Sequence, residues 1–112
     1  MKIEFKIFHE SAKPPNAERA IRKMIKINKS DFNIVKVDRY LDKGCLAVCE
    51  TTVEAESWEE FIYKVLLFGQ SFGSWSIGGS IDEELRLWST SFQGGDGVTA
   101  AGITVSRESF NA

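Results

Sequence analysis

Gly69-Gln70-Ser71-Phe72-Gly73 fits G-x-S-x-G, the pattern that presents a nucleophilic serine in many hydrolases. That chemistry needs the serine on a strand-to-helix turn, with an acid and then a histidine later in the chain to activate it. Here the pentapeptide closes an apolar helical stretch, and the single histidine, His9, lies far upstream. A lone histidine builds neither a nucleophile–base–orienter relay nor a three-ligand zinc site, so His9 is expected at the surface or at a strand end. Cys45 and Cys49 lack the paired short spacings and histidine co-ligands of structural zinc sites. They are expected to be reduced, mostly buried small hydrophobes. Gly78, Gly79, Gly94, Gly95 and Gly97 match neither a dinucleotide fingerprint nor a phosphate loop, which leaves them strand bends and turns. Glu50, Glu54, Glu56, Asp82, Glu83 and Glu84 fall in stretches expected to be exposed, whereas a glycosidase-like pair needs one acid in an apolar pocket. Recognition is the better use for them. The sequence therefore implies no enzyme, no cofactor and no metal site.

The elements that carry these residues follow from periodicity. Lys2 to Phe8 alternates Ile3, Phe5 and Ile7 with Lys2, Glu4 and Lys6, the signature of a strand buried on one face. Pro14-Pro15-Asn16 interrupts it, and Ala17, Ala20, Ile21, Met24 and Ile27 then recur at helical spacing, giving a helix over about 16–28. Phe32 to Leu41 and Cys45 to Glu56 are strand-like, with turn residues Asp42-Lys43-Gly44 between them. In the second run Glu50, Thr52, Glu54 and Glu56 share a parity, which predicts a row of carboxylates on one face. Ser57-Trp58-Glu59-Glu60 is a capping box opening a second helix over about 58–72, with Gly73 placed to end it. Strands over Trp75–Ile81, Leu85–Phe92 and Val98–Arg107 complete the chain, the first two alternatively forming one long strand with a bulge at Asp82-Glu83-Glu84. The fold class is α+β: two helices on one face of a mostly antiparallel sheet, in the order βαββα followed by two or three strands. A ferredoxin-like core and a C-terminal meander are the two architectures this order allows.

With 112 residues, 43% hydrophobic and 27% charged, the chain fits one domain spanning 1–112 with a single core. No apolar run approaches ~18 residues and no signal-peptide block opens the sequence, so the expected location is the cytoplasm. The net charge of −2 conceals a segregation. Residues 1–40 hold ten Lys/Arg against five acids, whereas residues 41–112 hold four against eleven. Such asymmetry points to charged partners, unless the two segments interleave in space and neutralise each other.

Two functions from different classes fit. In one, the acidic part of the chain docks onto a basic protein: Glu50, Glu54, Glu56, Asp82, Glu83, Glu84 and Asp96 steer the encounter, and Trp75 and Trp88 hold the complex. In the other, the basic first helix, with Arg19, Arg22, Lys23, Lys26 and Lys29, lies along nucleic acid. The strands lack an obvious aromatic signature for stacking bases, and a chain of net −2 gains little from counterion release, so protein binding is preferred. The run Trp75-Ser76-Ile77-Gly78-Gly79-Ser80-Ile81, with Gly97-Val98-Thr99 to Val105-Ser106-Arg107, resembles the immunity proteins of bacterial contact-dependent inhibition and related polymorphic toxin systems. That resemblance is one of type over most of the chain. It implies a cognate toxin domain, often a nuclease, neutralised by tight one-to-one binding.

Purified protein is expected to hydrolyse no ester, phosphoester or glycoside, and Ser71→Ala to retain the cellular role. A Ser71→Ala protein that folds but loses that role would restore the hydrolase reading.

Overall fold

Because successive side chains of a strand point to opposite faces, Ile3, Phe5 and Ile7 all become buried on one side of β1 (Lys2–His9). The computed structural model describes residues 1–112. After β1 come α1 (Pro14–Asn28), β2 (Asn33–Arg39), β3 (Cys45–Thr52), α2 (Trp58–Gln70), β4 (Gly73–Gly78), β5 (Glu84–Phe92), β6 (Val98–Ser106) and the short α3 (Arg107–Asn111). All six strands form one antiparallel sheet in the order β2-β3-β1-β6-β5-β4. The strand after α2 does not pair with β1. It takes the far edge as β4, and the β4–β5–β6 meander brings the chain back so that β6 lies beside β1.

The helices bury their apolar stripes against the Ile3-Phe5-Ile7 face. Ile21 and Met24 of α1, and Trp58, Phe61 and Val65 of α2, join Ala47, Cys49, Leu85, Leu87, Ala101, Ile103 and Val105 of the sheet in one core cluster. Phe5 is its hub: Phe32 lies edge-on at 5.1 Å, Phe68 edge-on at 5.5 Å and Phe72 stacked at 6.3 Å. The helix ends follow local chemistry. Pro14 occupies the first turn of α1, where a missing N–H costs nothing, and Lys29 closes that helix in the left-handed conformation. Ser57 Oγ accepts the Glu60 N–H at 3.2 Å, opening α2. The reciprocal half of the capping box is absent, because Glu60 instead pairs with Lys64 one turn on, at 3.1 Å.

Four expectations need correction. β3 stops at Thr52, so Glu54 and Glu56 lie beyond the strand and no carboxylate row forms. Val53 and Ala55 prolong the alternation past the ladder, because the Val53 N–H turns to the Met1 carbonyl and its side chain enters the core. Gly73 begins β4 rather than ending α2, whose cap is Ser71 in right-handed helical geometry. A third helix exists, with Phe110 packed on Phe61 at 4.9 Å and on Trp58 at 6.1 Å. The strand expected over Trp75–Ile81 ends at Gly78, since the Ser80 carbonyl accepts both the Glu83 and Glu84 N–H groups in a tight turn.

Both cysteines are free and buried. They point to the same face of β3, where four residues at ~3.3 Å each keep them about 13 Å apart, beyond disulfide range. Burial pushes the Cys49 thiol from its ordinary 9.0 up to about 12, because the thiolate loses hydration. A folded value above the unfolded one stabilises the fold at low pH and loses that contribution as pH rises. Stability should therefore decline between pH 9.0 and about 12, and Cys49→Ala should flatten that limb of the curve. Denaturant midpoints across this range test it; an identical decline in the variant would remove Cys49 as its cause.

Candidate partner-binding surface

No helix covers the second face of the sheet. The register puts Phe8 of β1 opposite Leu46 of β3 and Ala100 of β6, and Trp88 of β5 opposite Gly102 of β6. Tyr40, just past β2, leans edge-on against Phe8 at 5.3 Å, and Trp88 approaches Phe8 from the other side at 6.3 Å. Tyr40 is 43% exposed and Trp88 50%. Gly102 makes room for Trp88: a Cβ there would meet the indole at 3.3 Å. Three aromatic rings thus form a row across the open face, with Leu46 and Val48 half-buried beside them. Around this row the register places four bases, Lys2, Lys6, Lys36 and Arg86, and four acids, Glu4, Asp38, Glu50 and Glu84. Within the strands the face carries no excess of either sign.

The predicted carboxylates separate into groups. β3 finishes, β5 begins and β6 finishes at one end of the sheet, which gathers Glu50, Glu54, Glu56, Asp82, Glu83 and Glu84 there. Trp58 Nε1 donates to the Ile81 carbonyl at 2.8 Å and ties the two acidic loops together. Half of these acids are already paired: Glu50 with Lys2 at 3.7 Å, Glu54 with the N-terminal amine at 3.2 Å, and Glu84 with Arg86 at 2.6 Å. Glu56, Asp82 and Glu83 make no ion pair and remain exposed. Asp96 lies away from this group, in the β5–β6 loop, at 3.7 Å from Lys23 of α1. Trp75 does not join the open face either. Its indole N–H donates to the Gly69 carbonyl at 2.6 Å, and its ring meets Phe72 and Phe92 edge-on on the helix side.

The residues weighed for catalysis are occupied with structure. Ser71 ends a helix rather than opening one, and its hydroxyl donates to the Phe68 carbonyl at 2.6 Å. His9 is at a strand end, yet buried: Nε2 donates to the Asp96 carbonyl at 2.8 Å, and Nδ1 accepts the Ser11 N–H at 3.0 Å. This pairing sets the neutral tautomer. No three His, Cys, Asp or Glu side chains are arranged to hold a metal ion, and no buried polar side-chain atom lacks a hydrogen-bond partner.

Phe8, Tyr40 and Lys43 belong to this surface and went unmarked among the candidate residues, although the alternation carried a signal for two of the three rings. In β1, Phe8 follows Lys2, Glu4 and Lys6 on the polar parity, and in β5, Trp88 shares its parity with Arg86. An aromatic ring on the polar side of a strand is the mark of an exposed anchor. The two tryptophans should consequently fail differently. Trp75→Ala should cost about 3 kcal/mol or more by emptying a packed site and orphaning a carbonyl, whereas Trp88→Ala should cost about 1 kcal/mol. Equal losses in a denaturant titration would return Trp88 to the core. Comparison with known proteins finds no matching family model, no matching curated protein and no matching solved structure.

Proposed function

We propose that this chain is a non-enzymatic binding protein that grips another protein with the helix-free face of its sheet. The observation that carries this reading is the row Tyr40–Phe8–Trp88, half-buried at Phe8 and exposed at Tyr40 and Trp88, on a face that no element of the chain covers. Interface energy concentrates in a few aromatic and arginine anchors, and Arg86 stands beside Trp88 in the same strand. At one end of the face the unpaired Glu56, Asp82 and Glu83 favour a basic region on the partner and speed its approach. The specific partner we propose is a cytosolic toxin domain, with this chain as its neutralising immunity protein. The resemblance of type supports that step, and the acidic end suits a nuclease whose own site attracts phosphates.

Nucleic acid is the second reading, and the same three rings favour it, since exposed aromatics on a sheet stack bases. Charge weighs against it. The strands of the open face balance four bases with four acids, Lys43 adding one base at the β2–β3 turn, and the basic residues of α1 lie on the opposite side of the sheet, where α1 packs. A strand of phosphates cannot meet both at once.

A large secreted protein encoded just upstream, whose C-terminal domain is toxic and relieved by this chain, is the expected genetic context. Against that domain, Glu83→Lys with Glu84→Lys should slow association and weaken its salt dependence, while Trp88→Ala should speed dissociation about tenfold or more, equivalent to ~1.4 kcal/mol. Surface-immobilised kinetics measure both. Salt-sensitive binding of a single-stranded oligonucleotide, lost in Trp88→Ala, would overturn the protein reading in favour of the second.

A further inference from the structure

The aromatic row is not closed on itself. Between Tyr40, Phe8 and Trp88 lies a cavity of about 260 Å³, walled also by Gly44, Cys45 and Ala100. It sits at the end of the face where the β2–β3 turn meets the last residues of β1, away from the acidic end. Liquid water takes ~30 Å³ per molecule, so the space equals about nine waters, the scale of one ring system. Sites for complete small-molecule ligands are usually larger, about 300–1,000 Å³.

The lining says what kind of group enters. Its polar members are largely committed elsewhere: both nitrogens of His9 are engaged, and Thr99 Oγ1 donates to the Phe8 carbonyl at 3.4 Å. Lys43 is the one charged residue of the wall. Like Lys6 it makes no ion pair, whereas Lys2, Lys36 and Arg86 elsewhere on the face are matched by acids of this chain. An apolar slot between rings with a single unmatched cation on its wall suits an aromatic group carrying a negative charge beside it. A second copy of the chain would offer Tyr63 of α2, whose turn also carries Glu59 and Glu60.

We propose that this cavity receives one aromatic side chain of the protein partner, with an adjacent carboxylate held by Lys43. The proposal rests on the binding function argued above and gives it a direction. The partner presents a basic region to the Glu56–Asp82–Glu83 end and an aromatic residue beside an acid to the Lys43 end, which fixes its orientation along the face.

Titrating the isotope-labelled full chain with two blocked dipeptides tests this, one of phenylalanine followed by glutamate, the other of phenylalanine followed by lysine. The acidic peptide should give saturable amide shifts at Gly44, Cys45, Thr99 and Ala100, with a dissociation constant about fivefold lower than the basic peptide. Lys43→Glu, an exposed substitution, should reverse the preference, and Ala100→Leu, which fills the slot, should abolish the shifts while the rest of the spectrum stays native. Absence of saturable shifts, or equal affinities before and after Lys43→Glu, would overturn the proposal. Phenylacetate binding more tightly than the acidic peptide would assign the cavity to a free aromatic acid and overturn it as well. Self-association in sedimentation that is abolished by Lys43→Glu would assign the slot to a second copy and overturn the proposal too. Because the Trp88 and Glu83/Glu84 variants report on the face as a whole, a face that holds its partner while the peptides stay silent removes the slot alone.

Discussion

β1 is hydrogen-bonded on both sides, to β3 and to β6, and its two faces face different media. One face must be covered, since Ile3, Phe5 and Ile7 would otherwise stand in water, and about 25 cal/mol is gained per Å² of apolar area removed. α1, α2 and α3 all serve that single side. With every helix spent there, whatever the other parity carries stays open, and on this parity β1 ends in Phe8. The exposed aromatic row is thus the consequence of an unequal allocation of helices to the two sides of one strand.

Holding the helices to that side falls largely to rings. Phe5 touches Phe32, Phe68 and Phe72, which belong to the segment before β2, to α2 and to the link into β4. The site depends on this indirectly. Phe72 fixes where α2 hands the chain to β4, Trp75 bonds back to Gly69, and the meander from that point sets the register that brings Trp88 over Gly102. At the other end Trp58 does a similar job, packing on Phe110 and holding Ile81, so the acidic loops share one end of the sheet.

Local features were legible in the sequence and non-local ones were not. The alternation of Ile3, Phe5 and Ile7, the Ser57 cap and the helical spacing of Ile21 and Met24 each arise within a few residues, and each appears where expected. The run from Cys45 misled because Val53 and Ala55 keep period two after the ladder has ended. α3 offered one apolar residue, Phe110, too few for any periodicity. The aromatic row unites residues 8, 40 and 88, and only the placement of β6 between β1 and β5 brings the last of them near the first. That placement turns on the strand after α2 taking the edge, a choice no local pattern encodes. Glu54, Glu56, Asp82 and Glu83 are exposed as expected, whereas Glu50 and Glu84 are half-buried, and the grouping of all six at one end follows from strand direction rather than from strand parity.

A glycine in a strand leaves backbone bare, and a tryptophan laid over Gly102 shields it, so Trp88 has a use that needs no partner. That use explains one ring. It leaves Tyr40, 43% exposed at the start of a turn, with no backbone to protect, and it leaves Phe8 on a parity otherwise given to Lys2, Glu4 and Lys6. Phe8 touches both of the other rings, yet a gap stays open beside them, and apolar surface facing an open gap forfeits both contact and burial. Here they stand around about 260 Å³ of accessible space with an unmatched lysine on its wall. The fold keeps that space apolar without filling it, and a group from outside the chain is what would fill it.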